Sequence, residues 1–321
     1  MSGPVLVTGA GGFIGRAVVA RLTRAGIPVR AGLRRPAPLA IAGVASTRCD
    51  LSAPAEIEAA CAGAAMIVHA AGRETATMVA QLRALLDAAG RAGVERFVLF
   101  SSIAVYGTRT GHVREDDPPG DLDTYGAAKR TCEALLQAWI AAGVGRRAVI
   151  LRPGIVYGPG SDLWIARPAA ALRAGVLGDL GRGGEGIAAL IHLDDVAEAT
   201  RAAVVALQGP GPAATALNLV GPESPTWNAY FAALSLKVGL GLPRRIGRIR
   251  LAVLRALAVP AKLLGRLGLP APTALRLVPA AGEIRLFARA AQYDTRRAVA
   301  VLGVRPAIGL DRGLDALGEV R

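Results

Sequence analysis

Residues 4–26 read PVLVTGAGGFIGRAVVARLTRAG. An apolar run ending at Thr8 meets glycines at 9, 12 and 15, and a helical pattern then continues to Gly26, a natural stop. A strand, a glycine turn and a helix in that order let backbone N–H groups approach a pyrophosphate at the helix N-terminus. The spacing is GxxGxxG rather than GxGxxG, and a glycine turn alone is weak evidence, because any tight turn uses one. The βαβ setting carries the dinucleotide reading, with Gly9, Gly12, Phe13 and Ile14 as cofactor-binding candidates.

The rhythm repeats outward from this stretch. PVRAGLRR (28–35), STRCDL (46–51), AAMIVHAAG (64–72), RFVLFSSIAVYG (96–107) and RRAVILRPGIVYGPG (146–160) read as further strands. Helical patterns separate them. Near-continuous apolar strands alternating with helices predict an α/β fold, a doubly wound parallel Rossmann-type sheet covered on both faces. Beyond Gly160 the pattern changes, and from Pro222 helices dominate, broken by Pro243, Pro260, Pro270, Pro272 and Pro279. The expected division is a dinucleotide-binding domain over 1–158, to which 186–220 returns as a strand and helix. A smaller, mainly helical C-terminal substrate domain takes 159–185 and 221–321.

Composition narrows the classes. Hydrophobic residues make up 52% of the 321 positions, enough for a large core. Cys49, Cys61 and Cys132 are widely spaced and form no CxxC or cluster with the three histidines, which speaks against a disulfide framework or zinc site and for the cytoplasm. The N-terminus enters a strand at once, so no signal peptide is expected, and no uncharged apolar run reaches the length of a spanning helix.

The net charge of +14 is mostly local: nine basic and no acidic residues lie between Glu223 and Glu283. Within that span, PRRIGRIRLAVLRALAVPAKLLGRLG (243–268) sets arginines among leucines at helical spacing. It reads first as a solvated helix or lid, next as a surface attracting an apolar or anionic small-molecule substrate, and last as a peripheral membrane contact. No aromatic-interleaved basic patch accompanies it, so nucleic acid is not an expected partner.

Strand ends hold the remaining candidates. Arg34 and Arg35 close the second strand, where an acidic residue would choose NAD and an arginine suits the 2′-phosphate of NADP. Asp50 and Leu51 end the third, as an adenine contact or a helix N-cap. His69, with Ala70 and Ala71, forms packing or cofactor wall at the end of the fourth. Ser101 and Ser102 end the fifth, and Tyr125 and Lys129 follow four residues apart on one helix face. A lysine ammonium beside a tyrosine favours the phenolate, and such a tyrosine can exchange a proton with a hydroxyl or carbonyl oxygen.

TGAGGFIG, CDL, VHAAG, FSSIAVYG, YGAAK, LRPGIVYGPG, IHLDDVAEA and YDTRRAVAVLGVRP together resemble the extended short-chain dehydrogenase/reductases of the NAD-dependent epimerase/dehydratase superfamily. The resemblance implies Ser102, Tyr125 and Lys129 as the catalytic triad, Ser102 rather than Ser101 because it stands three before Val105. It places Pro153, Gly154 and Ile155 beside the nicotinamide, with Tyr125 and Lys129 also touching the cofactor. VRAGLRRP resembles the NADP-binding strand of dihydroflavonol-type reductases, so NADP(H) is the expected cofactor and NAD(H) the alternative.

His192, Asp194 and Asp195 are not expected to hold a metal, since the family carries a similar motif without one and the aspartates can cap a helix. A homodimer through two helices per subunit is common in the superfamily. The expected activity is an NADP(H)-dependent oxidoreductase interconverting a secondary alcohol and a ketone; the alternative is a nucleotide-sugar epimerase using tightly bound NAD. Ile103 and Ala104 stand where a dehydratase of this superfamily carries Asp-Glu. A non-enzymatic cofactor sensor is a third reading, which the intact Ser-Tyr-Lys set opposes.

Overall fold

The structure is a computed structural model that describes residues 3–35, 41–72, 74–267, 269–270 and 272–318. Pro36, the Arg266 side chain and Gly268, each part of a stretch singled out above, lie outside the described residues. The strands are β1 (Val5–Thr8), β2 (Val29–Leu33), β3 (Ala45–Arg48), β4 (Met66–His69), β5 (Arg96–Phe100), β6 (Gly111–Val113), β7 (Arg147–Pro153), β8 (Ile155–Tyr157), β9 (Leu190–His192), β10 (Ala214–Leu219) and β11 (Ala291–Tyr293). Seven of them form one parallel sheet in the order β10-β7-β5-β4-β1-β2-β3. The order reverses beside β1, and a doubly wound sheet binds its ligand outside the carboxyl ends of the strands at such a switch point.

The helices are α1 (Phe13–Arg24), α2 (Pro54–Cys61), α3 (Thr75–Arg91), α4 (Thr124–Ala141), α5 (Arg167–Arg173), α6 (Leu193–Ala206), α7 (Trp227–Lys237), α8 (Arg248–Arg266), α9 (Thr273–Arg276), α10 (Ala281–Phe287), α11 (Arg296–Leu302) and α12 (Leu310–Asp315). The two-residue period of a strand divides β1 between two cores. Val5 and Val7 pack with Val18 and Leu22 of α1 and Val196 and Ala203 of α6. Leu6 faces the other way, onto the core that Ile57 of α2, Leu82 and Leu85 of α3 and Leu136 of α4 help build. A third apolar cluster gathers around Trp227, with Tyr230, Phe231 and Phe287, and takes Leu251, Leu254 and Ala258 from α8.

Three expectations about elements change. The seventh strand of the sheet is β10, whose ATALNL is interrupted by Thr215 and Asn218 and does not stand out as a core strand, whereas the expected strand near 187–192 pairs with β8 in a separate two-stranded sheet. The long strand at 146–160 divides at Gly154, where the backbone turns from Leu219 to Ala189: Gly154 N–H donates to the Leu219 carbonyl at 2.8 Å and Ile155 N–H to Ala189 at 2.7 Å. Pro260 does not break a helix but lies inside α8. It forfeits one internal hydrogen bond, and the burial of Ala258 and Ala261 on either side holds the helix together.

Candidate active site

All strands of the main sheet run parallel, so Thr8, Leu33, Arg48, His69, Phe100 and Pro153 end at one edge. The glycine turn follows β1 there. Gly9 has φ +70, and a Cβ on it would sit 2.8 Å from the Ala71 nitrogen. A Cβ on Gly15 would lie 2.1 Å from the Gly9 carbonyl oxygen. The bare backbones let α1 start close against β1 and β4. Gly12 is the N-cap and offers no side chain, and the first turn of α1 holds no acidic residue, so its N–H groups suit an outside anion. Phe13 and Ile14 form that first turn. Between β1 and β4, Thr8 and His69 share a 2.8 Å hydrogen bond. Burial first, and the Lys129 charge second, pull His69 down to about 3, so the imidazole is neutral and packs buried beside Ala70 and Ala71.

At the end of β2, Arg34 and Arg35 are exposed, and among the described residues neither has a hydrogen-bond or ion-pair partner. Asp50 does not cap α2. Its carboxylate accepts from the Ser52 N–H at 2.9 Å and the Ser52 hydroxyl at 2.6 Å, which holds its pKa below the usual value, with Arg34 adding a further pull. The N-cap of α2 is Ala53, followed by Pro54, which needs no N–H partner at the first helical position. Leu51 packs partly buried against the α2–α3 core.

Ser102 ends the β5 extension and caps a 3-10 turn, Ile103–Tyr106, by accepting from the Ala104 N–H at 3.1 Å. Tyr125 lies in the first turn of α4, whose N-cap Asp123 accepts from Gly126 N–H at 2.7 Å. Gly126 decides how close these two elements come. A Cβ there would stand 2.4 Å from the Ala104 carbonyl oxygen, so any larger residue would push Tyr125 away from Ser102. The neighbouring Ser102 hydroxyl lowers the Tyr125 pKa, but burial outweighs it and the phenol is shifted up. The expected depression by Lys129 therefore does not prevail in this structure. The Lys129 ammonium lies 5.8 Å from the Tyr125 ring centroid and donates to the Phe100 carbonyl at 2.8 Å. Its own pKa is lowered by burial.

Pro153 and Ile155 are buried at the end of β7 and the start of β8, with Gly154 between them tied to β10. Ser102, Tyr125 and Lys129 thus come together at the sheet edge, with the glycine turn, Ala70–Ala71 and the 153–155 corner following strands that end on the same side, while Arg34 stands outward at the end of β2. His192 rather than an aspartate caps α6, its Nδ1 accepting from Asp194 N–H at 3.2 Å. The Asp195 carboxylate accepts from the Ala307 and Ile308 N–H groups at 3.0 Å each and anchors the C-terminal segment. Among the described residues no cluster of three potential metal ligands occurs.

A buried polar network behind the site was not anticipated. Glu133, one turn beyond Lys129 on α4, accepts from Ser101 Oγ at 2.5 Å and from Arg152 Nε and Nη2 at 2.9 and 2.7 Å. Arg152 also donates to the Tyr106 hydroxyl at 2.7 Å and the Glu115 carbonyl at 2.8 Å, and Tyr106 donates to Asn218 at 2.7 Å. The signal was present: an arginine inside the apolar run RAVILRP and a glutamate on the inner face of α4 each require a buried partner. A concavity between α3 and α4, lined by Leu86, Leu135 and Trp139 among others, shares no residue with this site.

A family model described as the NAD dependent epimerase/dehydratase family matches residues 5–214. The chain belongs to this family. Within the epimerase/dehydratase family, it is 31% identical over 209 residues to a ceramide reductase of Caulobacter vibrioides, covering 61% of this chain and 59% of the relative. It is 33% identical over 166 residues to a UDP-glucose 4-epimerase of Azospirillum brasilense, covering 46% of this chain and 47% of the relative. The matches thus span about half to three fifths of these relatives' length. A solved structure of MoeE5 in complex with UDP-glucuronic acid and NAD superposes with a TM-score of 0.75 at 27% identity, covering 98% of this chain and 97% of that one.

Proposed function

We propose that this member of the epimerase/dehydratase family is an NADP(H)-dependent oxidoreductase that interconverts a secondary alcohol and a ketone. The observation that carries the reading is the meeting of Ser102, Tyr125 and Lys129 beside the glycine turn at one sheet edge. Gly9, Gly12, Phe13 and Ile14 would hold the pyrophosphate, Arg34 the ribose phosphate, and Asp50 and Leu51 the adenine. Ala70, Ala71, Pro153, Gly154 and Ile155 would wall the nicotinamide, and Lys129 would bind its ribose. When bound, the nicotinamide supplies or accepts the hydride. Ser102 would polarise the substrate oxygen, and Tyr125 would give it a proton in reduction and take one in oxidation. Because burial raises the Tyr125 pKa, its hydroxyl keeps its proton at neutral pH, the form that donates to a carbonyl.

Two observations favour net reduction over epimerisation: the exposed Arg34 where an NAD enzyme would place a carboxylate, and the similarity to a protein named ceramide reductase. The alternative, a nucleotide-sugar epimerase retaining NAD, draws support from the likeness to MoeE5. The Trp227-centred cluster supports assigning 159–185 and 221–321 to a substrate domain beside a cofactor domain of 1–158 and 186–220.

Nicotinamide fluorescence with a panel of ketones tests the reading. Stoichiometric NADPH consumption is expected, falling roughly 10²–10⁴-fold in Tyr125→Phe. Tightly retained NAD with no net consumption, or a Tyr125→Phe enzyme of unchanged rate, would overturn it. Arg34→Asp should weaken NADPH binding by about tenfold or more, the scale of a lost charge-assisted contact, and leave NADH unaffected.

A further inference from the structure

Eleven of the fifteen large hydrophobic side chains exposed among the described residues fall between Leu236 and Leu269. On α8 they are ordered. Ile249, Val253 and Leu257 form one four-residue row, and Val259 and Leu263, continued by Leu267 just past the helix, form another. Ile249 is 84% exposed and Val259 69%. Leu251, Leu254 and Ala258 lie on the other side and pack into the Trp227 cluster. The helix is therefore apolar on two opposite faces, and only one of them is covered.

Cations occupy the flanks between these faces. Arg248, Arg255 and Lys262 recur every seven residues along one flank, Lys262 donating to the Val278 carbonyl. Arg250 lies on the other and donates to the Gly175 carbonyl. Exposed Arg244 and Arg245 precede the helix, Arg245 pairing with Asp179 at 3.5 Å. No carboxylate interrupts this span between Glu223 and Glu283. Hydrocarbon pointing outward with cations at its margins matches a surface whose interior is apolar and whose rim is anionic.

We propose that α8 and its approaches are a docking surface for an anionic lipid bilayer, with the apolar face set into the interface and the flanking arginines on the headgroup phosphates. Among the described residues no helix is long and apolar enough to cross a membrane, so the contact lies on the surface. A second copy of the chain is a poorer occupant, because pairing two such faces would bring two strongly basic margins together.

Co-sedimentation with vesicles decides the matter, using phosphatidylcholine alone and phosphatidylcholine mixed with phosphatidylglycerol. The intact protein should pellet at least about tenfold more with the anionic vesicles, and salt should reverse it. Val253→Glu with Leu257→Glu should abolish pelleting, and Arg248→Glu should lower it on anionic vesicles. Unchanged circular dichroism confirms that these exposed substitutions leave the fold intact. No pelleting of the unmodified protein, or equal pelleting with both vesicle types, overturns the proposal. So does a dimer seen by light scattering that the double glutamate variant dissolves.

Discussion

The carboxyl edge of the sheet and helix α8 depart from the usual placement of residues in opposite directions. Behind the sheet edge, Glu133, Arg152, Glu115 and Lys129 are buried, although such side chains rarely leave water. On α8, Ile249, Val259 and Leu263 stay in water, although such side chains usually leave it. Glu133 and Arg152 satisfy each other, Lys129 donates to the Phe100 carbonyl and the Glu115 carboxylate accepts from the Asn218 N–H, which fixes the turn after Ser101 and the helix that carries Tyr125 and Lys129. The exposed apolar groups have no partner within the described chain. An internally closed polar network points to a site being held in shape, and an open apolar face points outward to something else.

The contrast is open to experiment. The largest stability effect is expected at Glu133. Removing it in Glu133→Ala strands the Arg152 guanidinium and the Ser101 hydroxyl, and should cost about 3–5 kcal/mol in urea unfolding. A loss below about 1 kcal/mol would show that water or another group satisfies Arg152, and the contrast would fail on its buried side.

An effect smaller per pH unit belongs to His69. The folded chain keeps its imidazole neutral to about pH 3, whereas the unfolded chain protonates near 6.5. Unfolding thus takes up a proton between these values, so this residue's contribution to stability falls as pH drops from 6.5 toward 3. The slope is at most about 1.4 kcal/mol per pH unit, and His69→Gln should remove it from the pH dependence of unfolding.

The smallest effect is expected on α8. Val253→Glu with Leu257→Glu changes two outward side chains and should alter folding stability by no more than about 0.5 kcal/mol for each. A large loss in thermal melting would mean that the outer face packs on the protein itself, and the comparison would collapse.

Legibility in the sequence followed the range of the interactions. The glycine turn, the strand ends and the Tyr125–Lys129 pair were readable, because each rests on neighbours a few residues apart. The membership of β10 in the sheet was not, because ATALNL lacks an apolar run and owes its place to pairing with β7, some 65 residues earlier. The same holds for the cap of α6, where His192 competes with two better-known capping residues and wins on position. Pro260 read as a break because local rules count the lost hydrogen bond and not the packing on either side.

The sequence by itself determined the doubly wound order of elements, the glycine turn after β1 and the spacing that sets Tyr125 and Lys129 on one helix face. Those follow from backbone sterics and from side-chain periodicity, which act locally, whereas the choice of Ser102 over Ser101 came from the family resemblance. Only the tertiary structure decided that Gly126 brings Tyr125 against the Ser102 turn, and that burial pushes the phenol up rather than letting Lys129 draw it down. It likewise decided that Glu133 and Arg152 close a network behind the site, and which of the two apolar faces of α8 is left in water. These depend on which distant groups become neighbours, and on how far each is removed from solvent.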